Sequence, residues 1–158
     1  MNDKIIYIKD DVDDPLSNYF ECDILDRESG WVFKNVIQYF YWKKAMSYGD
    51  HYSAQQLIDN PDPYISYRIG QRIVDMHSDT LFLNEDTLLH CMLDKFRQNR
   101  GIAEELKKYD GYQFIYKDTY DPVWGCGRIT GEGAYDGKNL VGVFIYYIQK
   151  KLIYDAKV

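Results

Sequence analysis

The stretch NVIQYFYWKKAMSYGD, residues 35–50, decides how the rest of the chain is read. Asn35 carries the short acceptor side chain of a helix N-cap, and neither proline nor glycine follows until Gly49. The spacing therefore predicts a helix that Gly49 stops. At 3.6 residues per turn Val36, Phe40 and Lys44 share one face, while Tyr39, Trp42 and Met46 fill its neighbour. Four aromatics in succession, Tyr39 to Trp42, fit a core-packing stripe with Lys43 and Lys44 as solvated ends. The same lysines also suit a phosphate contact, or a reactive amine if desolvated.

Working outward, IIYIK (5–9) is β-branched and aromatic and reads as a short strand. FECDIL (20–25) and GWVF (30–33) read as strands paired across the polar turn DRESG. Downstream, Asp50 caps a helix through HYSAQQLID, and NPDP breaks it. Asp62 followed by Pro63 predicts a third helix running to about Asp75. Asn84, with Glu85 and Asp86 in the first turn, opens the next. Leu88, Leu89, Met92, Leu93 and Phe96 form its apolar stripe, with Lys95, Arg97 and Arg100 favouring its C-terminal end. Gly101 marks the boundary with a short helix, IAEELKKY. YQFIYK is an aromatic strand candidate, the six glycines from Gly125 to Gly142 read as a loop region, and Leu140, Phe144 and Ile148 space a last helix to about Tyr154. The expected fold class is α-rich α+β, a single compact multi-helical domain over 1–158 with a small β part.

Composition narrows the function classes. A chain of 158 residues is long enough for one core. Its net charge of −6 comes entirely from residues 1–30, which hold nine acids and three bases; the remainder is balanced. Residues 1–15 therefore read as an acidic N-terminal extension, a solvated loop around Asp10, Asp11, Asp13 and Asp14. Acidity argues against non-specific nucleic-acid binding, which needs a basic surface. No apolar run approaches the ~20 residues of a membrane span, and MNDKIIYIKDD lacks the apolar core of a secretory signal. Cys22, Cys91 and Cys126 are odd in number and widely spaced, and His51, His77 and His90 form no ligand set. A cytoplasmic, reduced, metal-free protein is the expectation. Sixteen tyrosines are an excess that fits base stacking as well as core packing.

Two loops could carry chemistry. In DPVWGCG (121–127), Pro122, Gly125 and Gly127 permit a tight backbone around Trp124, with Asp121 beside it. Such a loop suits a heterocyclic base or sugar edge, though composition alone favours a glycine turn holding a core tryptophan. In GKNLVG (137–142) a loop feeds a helix whose first N–H groups suit a phosphate, with Lys138 adding charge. Asn139 as a plain N-cap explains this segment equally well.

In order along the chain stand LSNYF, NVIQYFYWKKAMSYGD, IGQRI, KFRQN, DPVWGCG and GKNLVG. This series resembles the YbiA-like, or NADAR, family from about Leu16 to Leu152. The resemblance implies a small α-rich hydrolase that cleaves an N–C1′ ribose bond without a metal or other cofactor. Its substrates would be ADP-ribose on a nucleobase or phosphorylated riboflavin-pathway intermediates, that is, nucleotide-like small molecules. By the same resemblance Asn18 matches an early loop asparagine, Gln38, Tyr39 and Lys44 match the family helix, and Arg72 matches a Leu-Gly-Arg element loosened by Ile69 and Gln71. Lys95, Phe96 and Asn99 match a Lys-Phe-x-x-Asn helix. Asp121, Trp124, Gly125 and Gly127 match one loop; Gly137, Asn139 and Gly142 match the last motif. The implied ligand-binding set is Asn18, Lys44, Trp124, Gly125, Gly127, Lys138 and Asn139.

Two positions depart from the family. Its catalytic glutamate is Ile37 here, which can neither take a proton nor stabilise an oxocarbenium ion. Its tryptophan before the Lys-Phe helix is absent from DTLFLNED (79–86), where Phe82 offers a smaller face. Among Asp118, Asp121, Glu132 and Asp136, Asp121 is the best-placed substitute carboxylate, or else a loop hydrogen-bonder. Two readings follow: an N-glycosidase using Asp121, or an inactive member that binds a nucleotide-like ligand or a protein partner.

Overall fold

The computed structural model describes residues 4–157. The elements are β1 (Ile5–Ile8), β2 (Ile24–Leu25), β3 (Val32–Phe33), α1 (Val36–Tyr48), α2 (His51–Asp59), α3 (Pro63–Gly70), α4 (Asn84–Gln98), α5 (Arg100–Lys107), β4 (Gln113–Tyr116), β5 (Ile129–Gly131), β6 (Ala134–Tyr135) and α6 (Leu140–Ala156). The fold is α-rich α+β, as expected. By its contacts the chain divides into two units, Asn18–Asn99 and the remainder on both sides of it. None of the helices among the described residues is long and apolar enough to cross a membrane.

In the Asn18–Asn99 unit, α1 is the hub. Asn35 adopts an extended backbone and its Oδ1 accepts the Gln38 N–H at 2.8 Å. Gly49 ends the helix in the left-handed region at φ 72°, which costs glycine little. Every residue from Val36 to Trp42 is buried, so α1 is covered all round rather than along a stripe. Helices α2, α3 and α4 pack against it, and β2 and β3 form an antiparallel pair with Ile24 opposite Phe33.

Helix α3 stops at Gly70, short of the expected Asp75. A Cβ on Gly70 would lie 2.3 Å from the Tyr41 ring, so the helix end is pressed onto α1. Beyond it, side-chain acceptors outcompete the helical ladder. Asp50 Oδ2 accepts the Val74 N–H at 3.0 Å, and Asp75 accepts from His77, Thr80 N–H and the Thr80 hydroxyl.

Lys95 is one of the basic residues in the C-terminal part of α4. It is fully buried, its ammonium 5.8 Å from the Phe20 ring centroid and 5.1 Å from that of Phe96. The boundary with α5 falls at Asn99, whose amide donates to the Lys95 and Asp23 carbonyls, rather than at Gly101.

In the other unit β1 and β4 pair in parallel, Ile5 opposite Gln113 through Ile8 opposite Tyr116, and α6 covers β4. Asp10, placed by the sequence in a solvated loop, is exposed, and its carboxylate accepts a hydrogen bond from the Tyr116 hydroxyl. Val141, Ile145 and Ile148 are the buried apolar positions of α6, while Leu140 and Phe144 are half-buried. A Cβ on Gly142 would stand 2.3 Å from the Phe114 carbonyl oxygen, so only glycine allows this approach. The glycine-rich loop region contains the hairpin β5–β6, closed through Gly133 at φ 71°.

Candidate functional site

The DPVWGCG segment is built from its own hydrogen bonds. Asp121 Oδ1 accepts the Val123 and Trp124 N–H groups at 2.9 and 3.0 Å, an Asx-type turn that sets the half-buried Trp124. The carbonyls of this segment then take five consecutive N–H groups from the start of α6. Gly137 donates to Cys126, Lys138 to Pro122, Asn139 to Gly125, Leu140 to Val123 and Val141 to Trp124, at 2.8–3.1 Å.

That arrangement settles what the GKNLVG backbone does. The N–H groups expected to face a phosphate are committed to the neighbouring loop, leaving only the exposed Lys138 side chain to offer charge. Asn139 occupies the N-cap position of α6, but its side chain makes no capping hydrogen bond. It sits in the left-handed region at φ 52°, 1% exposed, its Oδ1 accepting the Tyr116 N–H at 2.8 Å and its amide donating to the Phe114 carbonyl at 3.0 Å. It caps the open edge of β4 instead.

Gly125 and Gly127 are required sterically. A Cβ on Gly125 would lie 2.4 Å from the Asp118 carbonyl oxygen, and Gly127 adopts φ 64°. Asp10 carries the electrostatic signature of this unit. Desolvation pushes its carboxyl above the usual carboxylate range, the Tyr116 hydroxyl opposes this, and the charges of Asp118 and Asp121 push it further up.

On the Asn18–Asn99 unit, Asn18 is 6% exposed, its carbonyl accepts the Val36 N–H at 3.2 Å, and its side-chain Oδ1 has no hydrogen-bond donor among the described residues. Ile37, in the first turn of α1, is 3% exposed. Lys44 lies seven residues on, two turns along, or roughly 10 Å at 1.5 Å per residue. It is half-buried, and desolvation pulls its ammonium below the ordinary lysine range. Its ammonium lies 5.6 Å from the Tyr48 ring centroid and has no ion-pair partner among the described residues.

Gln38 and Tyr39 are spent on structure. The Gln38 amide donates to the Leu57 carbonyl and its Oε1 accepts the Lys34 N–H, both at 2.8 Å. The buried Tyr39 hydroxyl lies 2.9 Å from Asp94 Oδ2 and 3.1 Å from Asp26 Oδ1, with His90 Nε2 3.2 Å from Asp94 and Lys43 Nζ 3.7 Å from Asp26. One phenolic proton serves two carboxylates, with Lys43 beside Asp26 and His90 beside Asp94. Burial and the adjacent carboxylates hold Tyr39 far above the ordinary phenol range. Burial alone would raise Asp26, but Ser29, Lys43 and Tyr39 outweigh it and keep its carboxyl low. Sequence reading missed this chain because its members lie far apart and share no motif.

Among the described residues no three His, Cys, Asp or Glu side chains are grouped to hold a metal ion.

Comparison with known proteins gives one consistent answer. The NMR structure of the E. coli protein YbiA has the same fold: the TM-score is 0.74 at 20% identity, covering 99% of this chain and 89% of that one. The Caenorhabditis elegans protein irg-1 is 25% identical over 148 residues, which span 87% of this chain and 69% of irg-1. The NADAR domain family model matches residues 7–153, and the chain therefore belongs to the NADAR domain family.

Proposed function

We propose that this protein binds a nucleotide-type ligand of the ADP-ribose or phosphoribosyl class, in the cytosol, and has lost most or all N-glycosidic turnover. The observation that carries the reading is the composition of α1 and its approach. Asn18 offers a buried acceptor without a donor, Lys44 a half-buried cation without a counter-ion, and Ile37 an alkyl group where the family has its acid. A buried unpaired acceptor costs about 1–3 kcal/mol, which a ligand hydroxyl or N–H offsets. A desolvated lysine gains in the same way from a phosphate. In the other unit, Trp124 presents a flat face, Gly125 and Gly127 hold the loop tight around it, and Lys138 supplies charge.

A working hydrolase is the second reading, favoured by the raised carboxyl of Asp10 and its electrostatic coupling to Asp121. Carboxylates in unequal environments are the usual signature of an acid–base pair. Asp121 would then stabilise charge at C1′ or activate water, and Asp10 would protonate the departing base.

Isothermal titration with ADP-ribose tests the first reading, with Asn18→Ala and Lys44→Met as weakened variants. Absence of heat with the folded wild-type chain sinks it. Release of free base from ADP-ribosylated guanine nucleotides or riboflavin intermediates, abolished by Asp121→Asn, establishes the second.

A further inference from the structure

The Asn18–Asn99 unit carries two hollows that share a wall. The larger, 670 Å³, lies between α1 and the segment leading into α4, with Trp42 and Phe82 deep and Met46, Leu81 and Leu83 exposed. The smaller, 180 Å³, lies between Trp31 and Ile58 on α2. Trp42 and Met46 line both, so these two side chains are the wall that the hollows share. Leu81 is 82% exposed and Trp31 48%, a large apolar outlay for a surface.

The charged side chains that line the larger hollow are Asp26, Glu28 and Lys43. Lys43 is the lysine that lines it, and it is paired with Asp26. Glu28 lines the larger hollow, and Glu85 and Asp86 occupy the turn of α4 between Leu83 and Thr87. All three are exposed and without an ion-pair partner among the described residues.

We propose that the surface carrying these hollows docks a basic amphipathic helix of a partner protein. Its apolar side chains enter the two hollows, and its lysines or arginines meet Glu28, Glu85 and Asp86. Two hollows sharing one wall match anchors repeated along a helix face. The Met46 thioether in that wall adapts to differing anchors. The proposal does not rest on the nucleotide-binding reading.

The test uses the full chain and a fluorescein-labelled, helix-forming peptide of leucine and lysine at amphipathic spacing, with a leucine–glutamate counterpart. Anisotropy should rise with the lysine peptide alone. Leu81→Asp and Glu28→Lys should each weaken binding about tenfold, whereas Asp13→Lys, a charge change on the acidic N-terminal stretch, should leave it unchanged. Leu81 is so exposed that its replacement spares the fold; should that variant unfold, Glu28→Lys still decides. No binding, equal binding of the glutamate peptide, or equal loss in Asp13→Lys overturns the proposal. Self-association in sedimentation that Leu81→Asp abolishes also overturns it, assigning the face to a second copy of the chain.

Discussion

Asn139 stands in for a strand beside Tyr116. Its Oδ1 accepts the Tyr116 N–H at 2.8 Å while its amide reaches the Phe114 carbonyl, so one side chain satisfies two of the outward-facing groups of β4. The left-handed backbone at φ 52° turns the chain from the glycine loop into α6 at the same point. Asn139→Ala strips both partners from a buried strand edge and keeps the unfavourable backbone. A loss of roughly 3 kcal/mol is expected in urea unfolding; a loss under 1 kcal/mol would show that water replaces the amide.

Gly125 faces backbone rather than movable side chains, with the Asp118 and Asp121 carbonyl oxygens 2.4 and 2.7 Å from where a Cβ would sit. Gly125→Ala should therefore displace the loop from the start of α6. The expected cost is about 2 kcal/mol in thermal or urea unfolding, with altered Trp124 fluorescence.

Asp50 joins α2 to the segment after α3. Burial alone would raise its carboxyl, but the Val74 N–H, the Ser53 hydroxyl and the Ser53 N–H hold it below the usual range. The native state then binds fewer protons than the unfolded chain. Its stabilisation is complete above about pH 4, the unfolded value, and fades as pH falls through the depressed folded value. Asp50→Ala should cost about 2 kcal/mol at pH 7, and the gap from wild type should narrow in acid unfolding curves.

At Lys44 the charged form works against folding instead of for it. Burial lowers its ammonium, so the charged form opposes folding at neutral pH, and that opposition is relieved as pH rises through the folded value. Lys44→Met should preserve or raise Tm at pH 7 while weakening ADP-ribose binding about tenfold, the loss of one charged contact. Wild-type affinity should fall in alkaline solution as the amine deprotonates.

Ile37→Glu introduces the acid that the proposed reading assigns to this position. Turnover on ADP-ribosylated nucleotides should rise about a hundredfold or more, the usual contribution of general acid–base groups. Burying a carboxyl at a site only 3% exposed should also cost about 2 kcal/mol of stability. If the folded variant binds ligand and shows no gain, the assignment of this position fails.

The local elements were legible because their signals are local. Asn35, Asp50, Asp62 with Pro63, and Gly49 each act on backbone groups within four residues, and the helices begin or end where those residues stand. The order of motifs was likewise enough to recognise the family. Tertiary structure alone decided the rest. The α3 end depends on a ring from α1 and a carboxylate from α2, and the parallel partner of β1 comes from the far end of the chain. Lys95, Asn139 and the Asp26–Tyr39–Asp94 chain look like helix-end charge, N-cap and core stripe when read alone. Each is settled by which buried donors and acceptors lie opposite it. A sequence can state the hydrogen-bonding capacity of a side chain, but whether that capacity is used by water, backbone or ligand is fixed only when distant segments meet.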